Sequence, residues 1–124
     1  MKSSSHKDTV LSFLHLAVAG DIWKAYNAYI HPDFRHHNAY YKGDRESLMV
    51  GMEENHKQFP AKAFDVKRIL EEGDIVITHS SITLTGMAEI AVVHIFRFQD
   101  EKIIEMWDLG QEVPKDMPNE NGMF

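Results

Sequence analysis

The sequence predicts an α+β fold in which three N-terminal helices pack on a strongly curved antiparallel sheet. Three observations carry this. Apolar residues recur at helical spacing through the first half of the chain, and four β-rich runs fill the second half. Turn-length links separate those runs, and such short links join only antiparallel neighbours. With 124 residues, 44% hydrophobic and 26% charged, the composition is that of one globular domain over residues 1–124.

The elements follow in order. From His6 to Ala19, Val10, Leu11, Phe13, Leu14, Leu16, Ala17 and Val18 recur with helical period. Gly20 is a helix stop, and Asp21 caps a second helix over Ile22–Ile30, with Ile22, Tyr26, Tyr29 and Ile30 on one face. His31-Pro32 ends it, because the residue before proline avoids helical dihedrals. The aromatic, histidine-rich stretch Phe34–Tyr41 fits a short strand. Gly43-Asp44 opens a third helix whose stripe is Leu48, Met49, Met52 and His56, and Pro60 follows it. Strands are expected over Ala63–Leu70, Ile75–Leu84, Ala88–Phe98 and Ile103–Leu109, joined at Gly73-Asp74, Thr85-Gly86 and Asp100-Glu101. The tail, 113–124, holds Pro114, Pro118 and two asparagines and reads as irregular. A bent sheet crossed by helices makes a cone whose open end is a ligand cavity.

Several function classes drop out. A net charge of −6 with scattered Lys and Arg argues against nucleic acid as a partner. No glycine pattern of a P-loop or dinucleotide fingerprint occurs. The absence of cysteine removes disulfides, thiolate nucleophiles and zinc–thiolate sites. His36-His37 invites a metal reading, but adjacent strand residues point to opposite faces, so no metal is expected. No Gly-x-Ser-x-Gly elbow is present. The apolar stretches are too short to cross a bilayer, and Met1–Ser5 lacks an apolar leader, so a cytoplasmic location without membrane contact is expected.

Strand parity brings polar residues together. A two-residue loop at Thr85-Gly86 sets His79 opposite Val92, so Ile77, His79, Ser81, Val92, His94 and Phe96 share a face. A three-residue loop, Gln99-Asp100-Glu101, sets His94 opposite Met106 with Asp108 one diagonal away. His79, His94 and Asp108 then converge on the concave side among Ile77, Val92, Phe96 and Ile104. A two-residue loop at Asp100-Glu101 instead turns Asp108 away. Apolar surroundings raise a carboxylate's pKa and a nearby imidazole counteracts this, which poises Asp108 to take a proton from carbon. Arg97 and Glu105 read as an exposed cross-strand pair on the other face.

Glu72-Gly73-Asp74-Ile75-Val76, Ile95-Phe96-Arg97-Phe98 and Lys102-Ile103-Ile104-Glu105-Met106-Trp107-Asp108 carry a family likeness. His36-His37-Asn38 and Asn119-Glu120-Asn121-Gly122-Met123-Phe124 extend it. In this order the segments resemble the SnoaL-like polyketide cyclases of the NTF2-like superfamily. The resemblance implies a cone-shaped α+β fold, ring closure by intramolecular aldol chemistry without a cofactor, and a homodimer joined through the outer sheet face. Val93, Ile95, Ile103 and Trp107 are a supporting apolar face. By that likeness Asp108 is the general base, His94 hydrogen-bonds the developing enolate, and Asn38 positions the substrate. His79, His37, Trp107 and Tyr26 complete the candidate pocket residues. Rival readings stand beside this: Asp108 as an acceptor for backbone N–H groups, His94 as a core histidine, and the whole as a non-catalytic, dimeric ligand-binding domain. Isomerisation, or hydrolysis of a small strained ring, needs the same base in the same dry pocket.

Overall fold

The computed structural model describes residues 5–84 and 88–124. The elements are α1 (His6–Val18), α2 (Ile22–Tyr29), β1 (Ile30–His37), α3 (Arg45–Gln58), β2 (Lys62–Glu72), β3 (Ile75–Leu84), β4 (Ala88–Gln99) and β5 (Lys102–Glu112). Local chemistry explains most boundaries. Ser5 caps α1 by accepting a hydrogen bond from Asp8 N, and Asp44 caps α3 by accepting from Ser47 N. Gly20 ends the first helix with φ of +92°, a conformation that suits glycine. Asp21 holds the cap position of α2 but makes no side-chain cap bond.

The strand order is β1-β5-β4-β3-β2. β2 to β5 form the expected antiparallel meander, but β1 runs parallel to β5, so the sheet is mixed and not wholly antiparallel. The reason is connectivity: α3 and three strands separate β1 from its neighbour, a crossover long enough for parallel pairing. β1 also starts at Ile30 and takes in Pro32, earlier than the stretch that reads as a strand in the sequence.

The helices cover one face of the sheet. Val10, Phe13 and Leu14 of α1, Ile22 and Tyr26 of α2, and Leu48 and Met49 of α3 meet Val76, Phe96, Ile103 and Met106 in one buried cluster. Residues 113–124 have no regular element, but the chain end lies on the outer face, where Phe124 stacks on His79.

Strand register fixes which side chains face inward. The Thr85-Gly86 turn lies outside the described residues, yet the flanking strands pair Leu84 with Ala88 and Thr78 with His94. Thr78 therefore shares the inner face with His94, and His79 points outward. The β4–β5 turn has two residues, Asp100 and Glu101, both left-handed (φ 53° and 63°), as a type I′ hairpin requires. Taken alone that loop would turn Asp108 away. A bulge restores the parity: Phe98 pairs with Ile103 but Arg97 with Glu105, leaving Ile104 as an extra residue. Beyond it, Met106 and Asp108 face inward and Glu105 and Trp107 outward.

Candidate functional site

A cavity of about 700 Å³ lies between the inner face and the helices. Phe13, Leu14, Ile22, Leu48, Met52, Phe64, Ile82, Ile90, Val92 and Met106 form apolar walls. Asn38, Tyr41, Asn55, Lys62, His94, Asp108 and Glu112 supply polar groups. Small-molecule sites in general combine apolar walls with a few convergent polar groups.

Asp108 and His94 face each other directly across β4 and β5. His94 Nε2 stands 3.2 Å from Asp108 Oδ1, and Asn38 Nδ2 donates to Oδ2 at 2.7 Å. The Asn38 contact is organised from β1. Phe34 and His36 turn inward, and the buried His36 ring joins Lys42 O through Nε2 at 2.7 Å and accepts from Asn38 N at Nδ1. His36 thus shapes the loop that delivers Asn38 to Asp108. The period-two pattern of β1 carries that signal, but only once Phe34 is known to be core.

Burial alone would raise the Asp108 carboxyl. The hydrogen bond and positive field of His94, the bond from Asn38 and the field of His36 outweigh it, and the carboxyl is held below the usual aspartate value. This corrects the expectation of a raised carboxyl. The apolar enclosure also differs in detail: Val92 and Phe96 are inward, whereas Ile77 is on the outer face and Ile104 is the bulge residue.

Four other sequence candidates lie away from the cavity wall. His79, turned outward by the β3–β4 register, pairs with Arg68 and reaches Met123 O through Nε2. His37 is outward because it follows the inward His36; it stacks on Trp107 with ring centroids 4.9 Å apart. Trp107 is outward because the bulge sends it there. Tyr26 is fully buried in the core, its hydroxyl 3.8 Å from Met52 Sδ, and burial pushes its phenol pKa up. Tyr41 lines the cavity, as its reading as core or pocket wall anticipates, and so do Asn55, Lys62 and Glu112, which sequence reasoning passed over.

The outer face holds a second acid–imidazole pair. Glu105 and Arg97 are directly opposed across the strands, but the pair is not the exposed one the sequence suggests: the Glu105 side chain is only 7% exposed. It accepts from Arg97 at 2.8 and 3.1 Å and from Arg35 at 3.1 Å, and it pairs with His37 Nε2 at 2.7 Å. Burial would raise this carboxyl, but the bonds from His37, Arg97 and Arg35 hold it down at about 2. Among the described residues, no three His, Asp or Glu side chains converge as a metal site needs.

The model of the SnoaL-like domain matches residues 10–106. The chain belongs to the SnoaL-like domain family. Solved structures agree in fold. Wild-type IdmH of Streptomyces antibioticus, a candidate polyketide cyclase, superposes with a TM-score of 0.73 at 21% identity, covering 87% of this chain and 93% of that one. An NTF2-like protein of unknown function from Cytophaga hutchinsonii gives 0.71 at 20% identity, covering 90% and 95%. A cystatin-fold protein from Novosphingobium aromaticivorans gives 0.75 at 17% identity, covering 86% and 99%. At these identities the likeness is one of fold, and this SnoaL-like chain has the α+β NTF2-like architecture. No curated protein matches the sequence. No helix among the described residues is long and apolar enough to cross a membrane.

Proposed function

We propose that this SnoaL-like chain binds a small carbonyl-bearing molecule in its cavity and moves a proton on it at Asp108, leading to aldol closure or isomerisation. The observation that carries the reading is the Asp108–His94 pair, 3.2 Å apart, on the wall of an otherwise largely apolar cavity. The geometry favours Asp108 as the base. His94 Nε2 points at the carboxylate, while Nδ1 is buried without a hydrogen-bond partner among the described residues, so the imidazole has no free nitrogen to act as the base. A carboxylate held low is a weak base, which suits a carbon acid flanked by two carbonyls. As Asp108 takes the proton, negative charge passes to the enolate oxygen. The neutralised carboxyl then loosens its hold on the N–H donors of His94 and Asn38, which turn to that oxygen. The enolate carbon attacks a second carbonyl of the same molecule, whose oxygen takes the proton back from Asp108, or that proton returns to a different carbon and the substrate is isomerised.

The test needs no native substrate. NMR in D₂O follows hydrogen exchange at the central carbon of a 1,3-diketone. Asp108→Asn is expected to slow catalysed exchange by roughly 100-fold or more; equal rates reject the base.

One observation favours a second reading, a non-catalytic ligand-binding domain: both Asp108 oxygens are already hydrogen-bonded. Under it, wild-type protein binds the diketone without exchanging its hydrogen.

The outer face supports the proposal of a homodimer. Leu109 and Ile77 are exposed there, beside Val93, Ile95 and Trp107. Ile103 drops out of that surface because it is fully buried on the inner side. A sedimentation mass of one chain at micromolar concentration excludes the dimer.

A further inference from the structure

Lys62 is a cation placed where no acid answers it. It opens β2, pairs with Leu84 and turns its side chain into the cavity wall. Its Nζ donates to Asn55 Oδ1 at 2.9 Å, a neutral partner that takes one of three N–H donors. Among the described residues it makes no ion pair; Glu112, the other charged side chain at that end of the cavity, is exposed. Partial burial pushes the Lys62 amine down, so an arriving anion restores the charged form that the site disfavours when alone.

Its position along the sheet matters as much. Asp108, His94 and Thr78 form one row across three strands, and Leu84 lies six residues further along β3. At strand rise that separates the two ends by about 20 Å, less the reach of the lysine stem. Phe64, Ile82, Ile90 and Val92 line the space between.

We propose that Lys62 is the anion anchor of this cavity, selecting an elongated ligand with a carboxylate on Nζ, an apolar body along the strands, and its carbonyl end at Asp108. This rests on the cavity being a ligand site, but not on any chemistry at Asp108.

The probes are cis-parinaric acid, an elongated fluorescent carboxylate, and the corresponding alcohol, titrated against the full chain. Wild-type protein is expected to bind the acid at least about tenfold more tightly, the worth of a charge-assisted hydrogen bond in a shielded site. Lys62→Met removes that preference while leaving the alcohol's affinity unchanged, and Lys62→Arg keeps it. Asp108→Asn keeps it too, which separates the anchor from the proposed base. Equal binding of acid and alcohol by wild-type protein overturns the anchor, as does a preference that survives in Lys62→Met. Binding of neither probe overturns the anchor and the ligand cavity together.

Discussion

The two faces of the sheet each carry a carboxylate paired with a histidine, and the pairs differ in everything that decides use. Glu105 on the outer face is tied by two arginines and His37, its carboxyl held at about 2. Asp108 on the inner face has one imidazole and one amide, and its side chain is 23% exposed toward a cavity. Glu105 is locked as an anion among cations and has no lone pair to spare for a visitor. Asp108 is ionised but only lightly held, beside space for a ligand. An acid–imidazole contact therefore marks chemistry only where its remaining partners are weak and a substrate can reach it.

Stability measurements put that contrast at risk most directly. Glu105→Gln leaves two guanidinium groups facing a neutral amide and is expected to cost about 2–4 kcal/mol in chemical denaturation. Asp108→Asn keeps a shape that the cavity tolerates and is expected to cost about 1 kcal/mol or less. Equal losses would make the two pairs the same kind of structure.

Acid titration sharpens the same point. A carboxyl whose folded pKa lies below its free value stabilises the fold above the free value, and that contribution fades as pH falls toward the folded one. For Glu105 the window runs from 4.5 down to about 2. Asp108 has the same sign, starting from 3.8. The wild-type midpoint is thus expected to fall as pH drops through this range. Glu105→Gln should flatten the fall more than Asp108→Asn does, and an unchanged slope in Glu105→Gln would contradict the assignment.

The smallest effect concerns the turn that sets both faces. Glu101 adopts a φ of 63°, which glycine tolerates better, so Glu101→Gly is expected to raise stability by about 0.5–1 kcal/mol. A loss of stability would mean that the Glu101 side chain contributes something the turn geometry does not show.

Element types were legible because they rest on local pattern: β-branched runs, the Asp44 cap and the Gly20 stop all act within a few residues. Register was not, because one residue in a loop changes it and periodicity carries no record of loop geometry. The β4–β5 expectation placed Asp108 inward through a three-residue loop. The structure reaches the same side by a two-residue loop and the Ile104 bulge, so two one-residue differences cancel. Between β3 and β4 a single such difference had nothing to cancel it, and His79 came out on the wrong face. Lys62 escaped notice for a different reason: a lysine at a strand start reads as solvated until the sheet and α3 close around it.

The unpaired residue at Ile104 gives β5 something like a frame-shift, with the strand read in one phase before it and the opposite phase after. Were Ile104 drawn into the regular ladder with the turn unchanged, the strand would keep its length but its far half would invert. Glu105 would be thrust among hydrocarbon, the indole of Trp107 would enter the hollow, and Asp108 would be exported to water. Removing Ile104 altogether would, by contrast, leave Asp108 opposite His94, so the bulge and the two-residue turn compensate each other at this chain length.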